Sequence, residues 1–335
     1  MRNAFIKNAE AGSLLGGRKF HKSMTHFNLG KRRLYCRQIE EHMKKENTAK
    51  ILMAVAMFIF GTLAPFVRNI GVSSGELALY RAVLAALLVG GFLLITRQKL
   101  SIGSIKKELL LLLLSGAAMG INWILLFEAY KYTTVSVATL SYYFAPVIVM
   151  MVCPLLFKEK MTGKQILCFV MSSAGLVLIT GTAGGGTQDL LGIVFGLGAA
   201  MFYASVMLLN KFIKGVTGLH RTFIQFLSAI IVLVPYVALS SGFTLGNLTG
   251  KGWIALLIVG LVHTGITYCM YFSALKELPG QKVAILSYID PLVAVLVSVI
   301  WLKESMTIPQ IIGGLLILGF TLWSELPSKK KNQSV

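Results

Sequence analysis

The sequence predicts an all-α membrane protein of ten transmembrane helices, built as two inverted five-helix repeats. Three observations carry that prediction. The 335 residues are 56% hydrophobic and only 13% charged, against about 25% charged in soluble domains. A pentapeptide occurs twice, as KEKMT at 158–162 and KESMT at 303–307. Basic residues outside the N-terminal tail crowd into alternate connections between apolar stretches.

The two pentapeptides lie 145 residues apart, and the same offset brings other residues into register. Gly120 falls on Gly265, Phe127 on Phe272, Ala129 on Ala274 and Lys131 on Lys276. Tyr143 falls on Tyr288, Pro146 on Pro291, and Gln165 on Gln310. From Gly120 to Ile166 no gap is needed, and about three positions in ten are identical. A match this regular marks an internal duplication. In both copies KE-x-MT follows about twenty apolar residues, enough to cross a hydrocarbon core of about 30 Å. Thr162 and Gln165, like Thr307 and Gln310, have capping-box spacing. The motif therefore reads as a corner between two helices, with a direct substrate role for Glu159 or Glu304 as the alternative.

Residues 1–48 form a basic tail without an apolar core, so they are not a secretory signal. Nine Lys/Arg precede Met43, and MKKENTAK running straight into an apolar stretch marks Met43 as the expected natural start. The first repeat, 50–182, holds apolar segments at 50–70, 75–96, 108–130, 134–157 and 163–182. The fourth carries Pro146, and the fifth opens at the Thr162 cap. Gly184–Gly186 has neither the Lys-Ser/Thr nor the βα setting of a phosphate loop, and reads as the link between halves. The second repeat, 190–325, holds 190–212, 219–240, 252–275, 281–302 and 308–325. Its fourth segment carries Asp290-Pro291, its fifth opens at the Thr307 cap, and a second basic tail follows at 326–335. Gly116 with Gly120 and Gly192 with Gly196 have the spacing that lets membrane helices approach closely. Gly90, Gly91, Gly313 and Gly314 are read the same way.

The formal net charge of +19 would suggest nucleic acid in a soluble protein. Here the charges set topology instead, since basic loops stay in the cytoplasm. Eighteen Lys/Arg fall on one side and four, Arg68, Lys131, Lys251 and Lys303, on the other. Both termini are expected in the cytoplasm of a cell whose plasma or inner membrane houses the chain. An odd number of helices per repeat then inserts the second copy upside down, the arrangement of secondary transporters whose substrates bind near the midplane.

This pattern resembles the EamA-type transporters of the drug/metabolite transporter superfamily. The residues that carry the resemblance are Ala129, Pro146, Glu159 and Gly163, then Ala274, Pro291 and Glu304. Tyr80-Arg81 resembles the family's arginine in the second helix, and Phe60-Gly61 and Tyr203-Ala204 its aromatic-small pair. The family's usual tryptophan in the first helix of each half is absent. The resemblance spans roughly residues 50–325 and implies secondary transport of small metabolites, often export, through a cavity open to one side at a time.

Ionisable groups at membrane depth are costly, so each is a candidate site. Asp290 sits mid-segment before Pro291, which cannot donate to the carbonyl of Ser287. Its readings are proton or cation coupling, binding of a substrate amine, or a structural pair. His263, beside Thr264 and Thr267, is the expected partner of Asp290, with packing against a hydroxyl as the alternative. Arg81 neutralises Asp290, grips a substrate carboxylate, or extends to the outer interface. Asn122, Trp123, Tyr143, Tyr288, Thr62, Tyr203 and Gln225 complete the expected cavity, together with Tyr142 and Ser287. Glu128 and Lys131 read as a surface pair.

The expected function is export of amino acids or related compounds by alternating access. The rivals are an integral-membrane enzyme and a non-transporting sensor or structural protein. Expected partners are a small-molecule substrate, the bilayer, protons as coupling ion and a second copy of the chain. No nucleic acid, cofactor or metal is expected, since Cys36, Cys153, Cys168 and Cys269 lack ligand spacing.

Overall fold

The computed structural model describes residues 43–97, 102–157, 161–181, 187–216, 218–278 and 280–326. Glu159, the glycine run Gly184–Gly186, and the tails 1–42 and 327–335 lie outside the described residues. Residues 1–48 form one unit, of which 43–48 are helical. Ala49–Val335 form a second, which contains the helical bundle.

The described residues are helical and contain no strand. Among the described residues nine helices are long and apolar enough to span a bilayer, and the shorter apolar helix Ile285–Ile300 makes a tenth. We number them α1 (residues 49–68, most of the span Met43–Arg68), α2 (Ser74–Ile95) and α3 (Ile102–Tyr132). α4 is broken into α4a (Val135–Tyr142) and α4b (Ala145–Phe157). Then come α5 (Gly163–Gly181), α6 (Thr187–Phe212), α7 (Gly218–Ser240) and α8 (Gly250–Leu275). α9 is broken into α9a (Gly280–Ser287) and α9b (Ile289–Ile300), and α10 is Ile308–Glu325.

α1 is interrupted at Thr62, and the breaks in α4 and α9 fall at matched places. α4 is interrupted at Tyr143-Phe144 and α9 at Tyr288, just before the paired Pro146 and Pro291. A proline lacks the N–H that would bond one turn back, so a helix yields there. Both caps form as the spacing implies. Thr162 N donates to Gln165 Oε1 at 2.8 Å, and Gln165 N donates to Thr162 Oγ1 at 3.3 Å. The same pair of bonds joins Thr307 and Gln310 at 3.0 and 3.4 Å.

The packing is that of two exchanged halves. α2 packs on α7, and α5 on α10. The contact of α3 with α7 is mirrored by that of α8 with α2, and the contact of α4 with α6 by that of α9b with α1. α10 runs antiparallel to α5, because Lys164 Nζ at the start of α5 reaches the carbonyls of Ser324 and Leu326 at the end of α10. Thr162 and Thr307 therefore cap opposite ends of the bundle, which is the inversion that the charges imply. We call the two ends of the bundle the Lys164 end and the Glu304 end.

Small residues let these helices meet. A Cβ on Gly313 would lie 2.5 Å from the Gly175 carbonyl, and one on Gly192 would lie 2.5 Å from Thr133 Cγ2. Gly91 departs from the expectation, since nothing stands within 4 Å of its Cβ position. It faces outward from α2, and the close neighbour is made by Gly90 against Phe223.

Candidate functional site

A cavity of about 510 Å³ lies between the two halves, within the roughly 300–1,000 Å³ of small-molecule sites. Its lining reaches the helix ends on the Lys164 side at Asn210, Arg221, Val283 and Glu325. Towards the Glu304 side it ends at Ala64, Thr139 and Ala294, and at Tyr130 in the last turn of α3.

Asp290 opens α9b at the helix break, and its Oδ2 accepts a short hydrogen bond from the Tyr143 hydroxyl at the break in α4. The two discontinuous helices thus meet, one from each repeat, through a carboxylate and a phenol. Oδ1 has no donor among the described residues. Gly61 makes the approach of α1 to this point feasible, because a Cβ there would stand 2.6 Å from the Asp290 carbonyl oxygen.

Arg81 lies across the cavity and is buried, at 4% exposure. Its Nε donates to Thr264 Oγ1 at 2.7 Å, and its guanidinium lies 4.4 Å from the centre of the Trp123 ring. A cation over an aromatic face contributes about 0.5–2 kcal/mol. Thr264 is aimed by an unusual backbone: residues Ile258–Ile266 of α8 form a π-helix. There the hydroxyls of Thr264 and Thr267 bond the carbonyls five residues back, of Val259 and Val262. Such segments recur at functional sites. Arg81 is thus held by one nitrogen and one face, and its terminal nitrogens have no partner among the described residues. The described ion pairs are Arg68–Glu304 and Lys131–Glu128, so Arg81 and Asp290 share a cavity without pairing. Of the three readings of Arg81, neither neutralisation of Asp290 by direct contact nor extension to an interface fits.

Aromatic side chains form the walls. Tyr142 stacks on Tyr203 with ring centres 5.2 Å apart, and Tyr268 meets Phe60 and Phe226 edge-on at 5.4 and 5.5 Å. Ten of the twelve residues expected in the cavity line it: Asp290, Arg81, Asn122, Trp123, Tyr142, Tyr143, Tyr203, Gln225, Ser287 and Tyr288. Two of these are also occupied with holding helices. Asn122 Nδ2 donates to the Ala199 carbonyl of α6 at 2.6 Å. Gln225 Nε2 donates to Ser115 Oγ and Asn210 Oδ1 at 2.5 and 2.8 Å.

His263 and Thr62 lie outside the cavity lining. His263 Nε2 stands 3.1 Å from Thr62 Oγ1, and its ring lies 4.9 Å from that of Phe66. No bond joins it to Asp290 among the described residues, which corrects the expected partnership. The π-helical turn points His263 at α1 rather than α9. The hydroxyl alternative is the one that the geometry matches.

Sequence reasoning missed Tyr268, Tyr271, Arg221 and Glu325, all of which line the cavity. Tyr268 and Tyr271 are three apart and so share a helix face, but nothing in their spacing says which way that face turns. Arg221 counted as a topology-setting charge, yet it stands in the cavity mouth. No group of three His, Cys, Asp or Glu side chains among the described residues converges as metal ligands would.

The model of the EamA-like transporter family matches residues 47–181 and again 190–324. An Uncharacterized transporter YxxF of Bacillus subtilis (strain 168) is 29% identical over 277 residues, 82% of this chain and 88% of that one. An Uncharacterized transporter of Archaeoglobus fulgidus is 29% identical over 286 residues, 84% of this chain and 98% of that one. Protein PecM of Dickeya dadantii (strain 3937) is 26% identical over 242 residues, 70% of this chain and 78% of that one. A solved crystal structure shares the fold with a TM-score of 0.57 at 16% identity, over 82% of this chain and 96% of that one.

Proposed function

The chain belongs to the EamA-like transporter family, and we propose that it exports small zwitterionic metabolites, amino acids or close relatives, by alternating access. The observation that carries this reading is that Arg81 and Asp290, groups of opposite charge, line one cavity without forming an ion pair. Arg81 offers two terminal nitrogens, which suit a carboxylate bidentately. Asp290 offers a carboxylate oxygen to an amine. Tyr142, Tyr203 and Tyr268 supply apolar area with polar edges for the side chain between them. A neutral solute would leave both charges unanswered, and a simple anion or cation would leave one.

The Lys164 end holds the excess of basic residues and so faces the cytoplasm of a plasma or bacterial inner membrane, with both termini on that side. The cavity reaches that end, so the geometry corresponds to a state loading from the cytoplasm. The two halves rock about the broken helices α4 and α9, as inverted repeats allow. Asp290 couples the cycle to protons or receives the substrate amine.

The test needs no prior choice of substrate. Cells with the intact chain, an Asp290→Asn variant or an empty vector are matched for membrane level, and metabolites in the medium are profiled over time. The expected result is a zwitterion that accumulates outside with the intact chain alone. Matching profiles for all three across varied pH and nutrient load would overturn export. An Asp290→Asn variant with unchanged rate and pH dependence would remove Asp290 from the mechanism.

A further inference from the structure

The Glu304 end of the bundle carries a compact polar cluster that touches the cavity lining only at Tyr130. Arg68, the last residue of α1, forms an ion pair with Glu304 Oε1. The other guanidinium nitrogen, Nη2, donates to the carbonyls of Tyr130 and Thr133, each at 3.2 Å. Those carbonyls end α3, where a helix leaves acceptors unsatisfied and carries partial negative charge. Glu304 Oε2 accepts the backbone N–H of Val135 at 2.8 Å and the Ser298 hydroxyl. Val135 begins α4a, where helical N–H groups lack partners and the field is positive. Ser298 Oγ in turn accepts the N–H of Ser136 at 3.2 Å. The turn between α3 and α4 is therefore gripped from both sides, by a cation on its carbonyls and a carboxylate on its amides.

The cluster joins the repeats. Arg68, Thr133, Val135 and Ser136 belong to the first, Ser298 and Glu304 to the second. Glu304 is side-chain buried to 11% exposure and Arg68 to 33%, so the pair is only partly reached by water. The backbone that presents Glu304 is itself unusual. Lys303 has φ +57°, a left-handed conformation that costs a non-glycine residue strain. That conformation turns the chain back so that Glu304 N bonds to the Ser298 carbonyl at 3.1 Å, and it aims the carboxylate across the repeat boundary. Strain of this kind collects where a fold needs a particular geometry.

The duplication echoes this arrangement at the opposite end. Gly61 falls on Ala204, a register that carries Arg68 to Lys211, and the offset of the pentapeptides carries Ser298 to Cys153. Lys211 Nζ lies 3.0 Å from Cys153 Sγ. In each half, a basic residue at the end of the first helix reaches across to the other half, Lys211 to its fourth helix and Arg68 to the turn that follows its fourth helix.

We infer that Arg68 and Glu304 form the latch that closes the outer end of the cavity while the cytoplasmic end is open. This rests on the alternating-access reading and on the orientation proposed above. Outward opening must draw α9b and α10 away from α1 and α4a, which parts Glu304 from Arg68 and Val135, and Ser298 from Ser136, together. Loss of one charge-assisted bond from such a cluster shifts the balance towards outward-open molecules.

The experiment reads access to the cavity from outside, independently of transport. A cysteine-free chain carrying Ala294→Cys, at the outer limit of the lining, is labelled in intact cells with a membrane-impermeant maleimide. Labelling per membrane-inserted molecule is expected to quicken at least about fivefold in Glu304→Gln and in Arg68→Gln. It is expected to return towards the parent rate in the charge-exchanged pair Arg68→Glu with Glu304→Arg. A purely structural Glu304 would lower the amount of inserted protein while the rate per molecule stayed constant. Should Glu304→Gln fail to accumulate, Arg68→Gln decides, because it leaves the carboxylate on Val135 and Ser298. Unchanged labelling in the variants that accumulate would overturn the latch, and the metabolite assay would still stand or fall on its own. Faster labelling without any solute movement would keep the latch and refute the transport assignment.

Discussion

Gly61→Ala should destabilise the protein because of one measurable approach. The added Cβ would lie 2.6 Å from the Asp290 carbonyl oxygen and 2.6 Å from Val293 Cβ. Neither is the free end of a flexible side chain, so neither can swing aside. Ordinary contact begins near 3.4 Å, so α1 and α9b must part by about 0.8 Å at the break. Overpacking of this size costs about 1–3 kcal/mol. The matched control is Gly91→Ala, where nothing lies within 4 Å and the gain in helix propensity is up to about 1 kcal/mol. The two variants therefore move in opposite directions. At about 2–4 °C per kcal/mol, the figure for chains of about 150–250 residues, Gly61→Ala should melt up to about 12 °C below the parent and Gly91→Ala at or slightly above it. Thermal unfolding of the purified protein in detergent, followed by tryptophan fluorescence, measures both. Transport should fall in Gly61→Ala as well, since the displacement carries Asp290 away from Tyr143. Equal melting temperatures for the two variants would refute the close approach of α1 to the break in α9.

Three further perturbations separate structural from functional groups. Arg81→Lys keeps the charge but loses the Nε bond to Thr264 and the guanidinium contact with the Trp123 ring; a bond to a charged group contributes about 1.5–3 kcal/mol, so substrate efflux from proteoliposomes should drop about tenfold to a hundredfold. His263→Leu removes the contact with Thr62; stability should fall by about 1 kcal/mol in thermal unfolding, while the pH dependence of transport stays that of the parent. Lys303→Gly relieves the left-handed φ, and the same unfolding measurement should show a gain of about 0.5–1 kcal/mol, the saving in backbone strain less the entropy of a more flexible unfolded chain.

The parts legible from the sequence were those with local or periodic signals. Thr307 and Gln310 cap α10 because a Thr and a Gln three residues apart suffice for both bonds. The lost N–H of Pro291 was legible too, but not the breaks in α4 and α9, since Pro154 and Pro235 sit inside unbroken helices. Asp290 was legible as a site candidate because an acid is costly at that depth. Gly91 was misread because glycine tolerates close packing without requiring it. His263 was assigned the wrong neighbour because a π-helical turn rotates every side chain beyond it, and no composition rule announces where such a turn begins.

Hydropathy, the internal repeat and the spread of Lys and Arg were enough, by themselves, to determine the helices, their number and the inversion of the halves. These depend on the length of a bilayer and the cost of leaving backbone groups unpaired in it, both of which act on contiguous segments. Only the tertiary structure decided which polar groups meet. Tyr143 and Asp290 are 147 residues apart, Thr62 and His263 201, and Arg68 and Glu304 236. A membrane helix is apolar on most of its faces, so its sequence hardly encodes the rotation about its own axis. That rotation is set by where glycines let two backbones touch, and it determines whether a charge looks into the cavity, onto a neighbouring helix or across the boundary between the repeats.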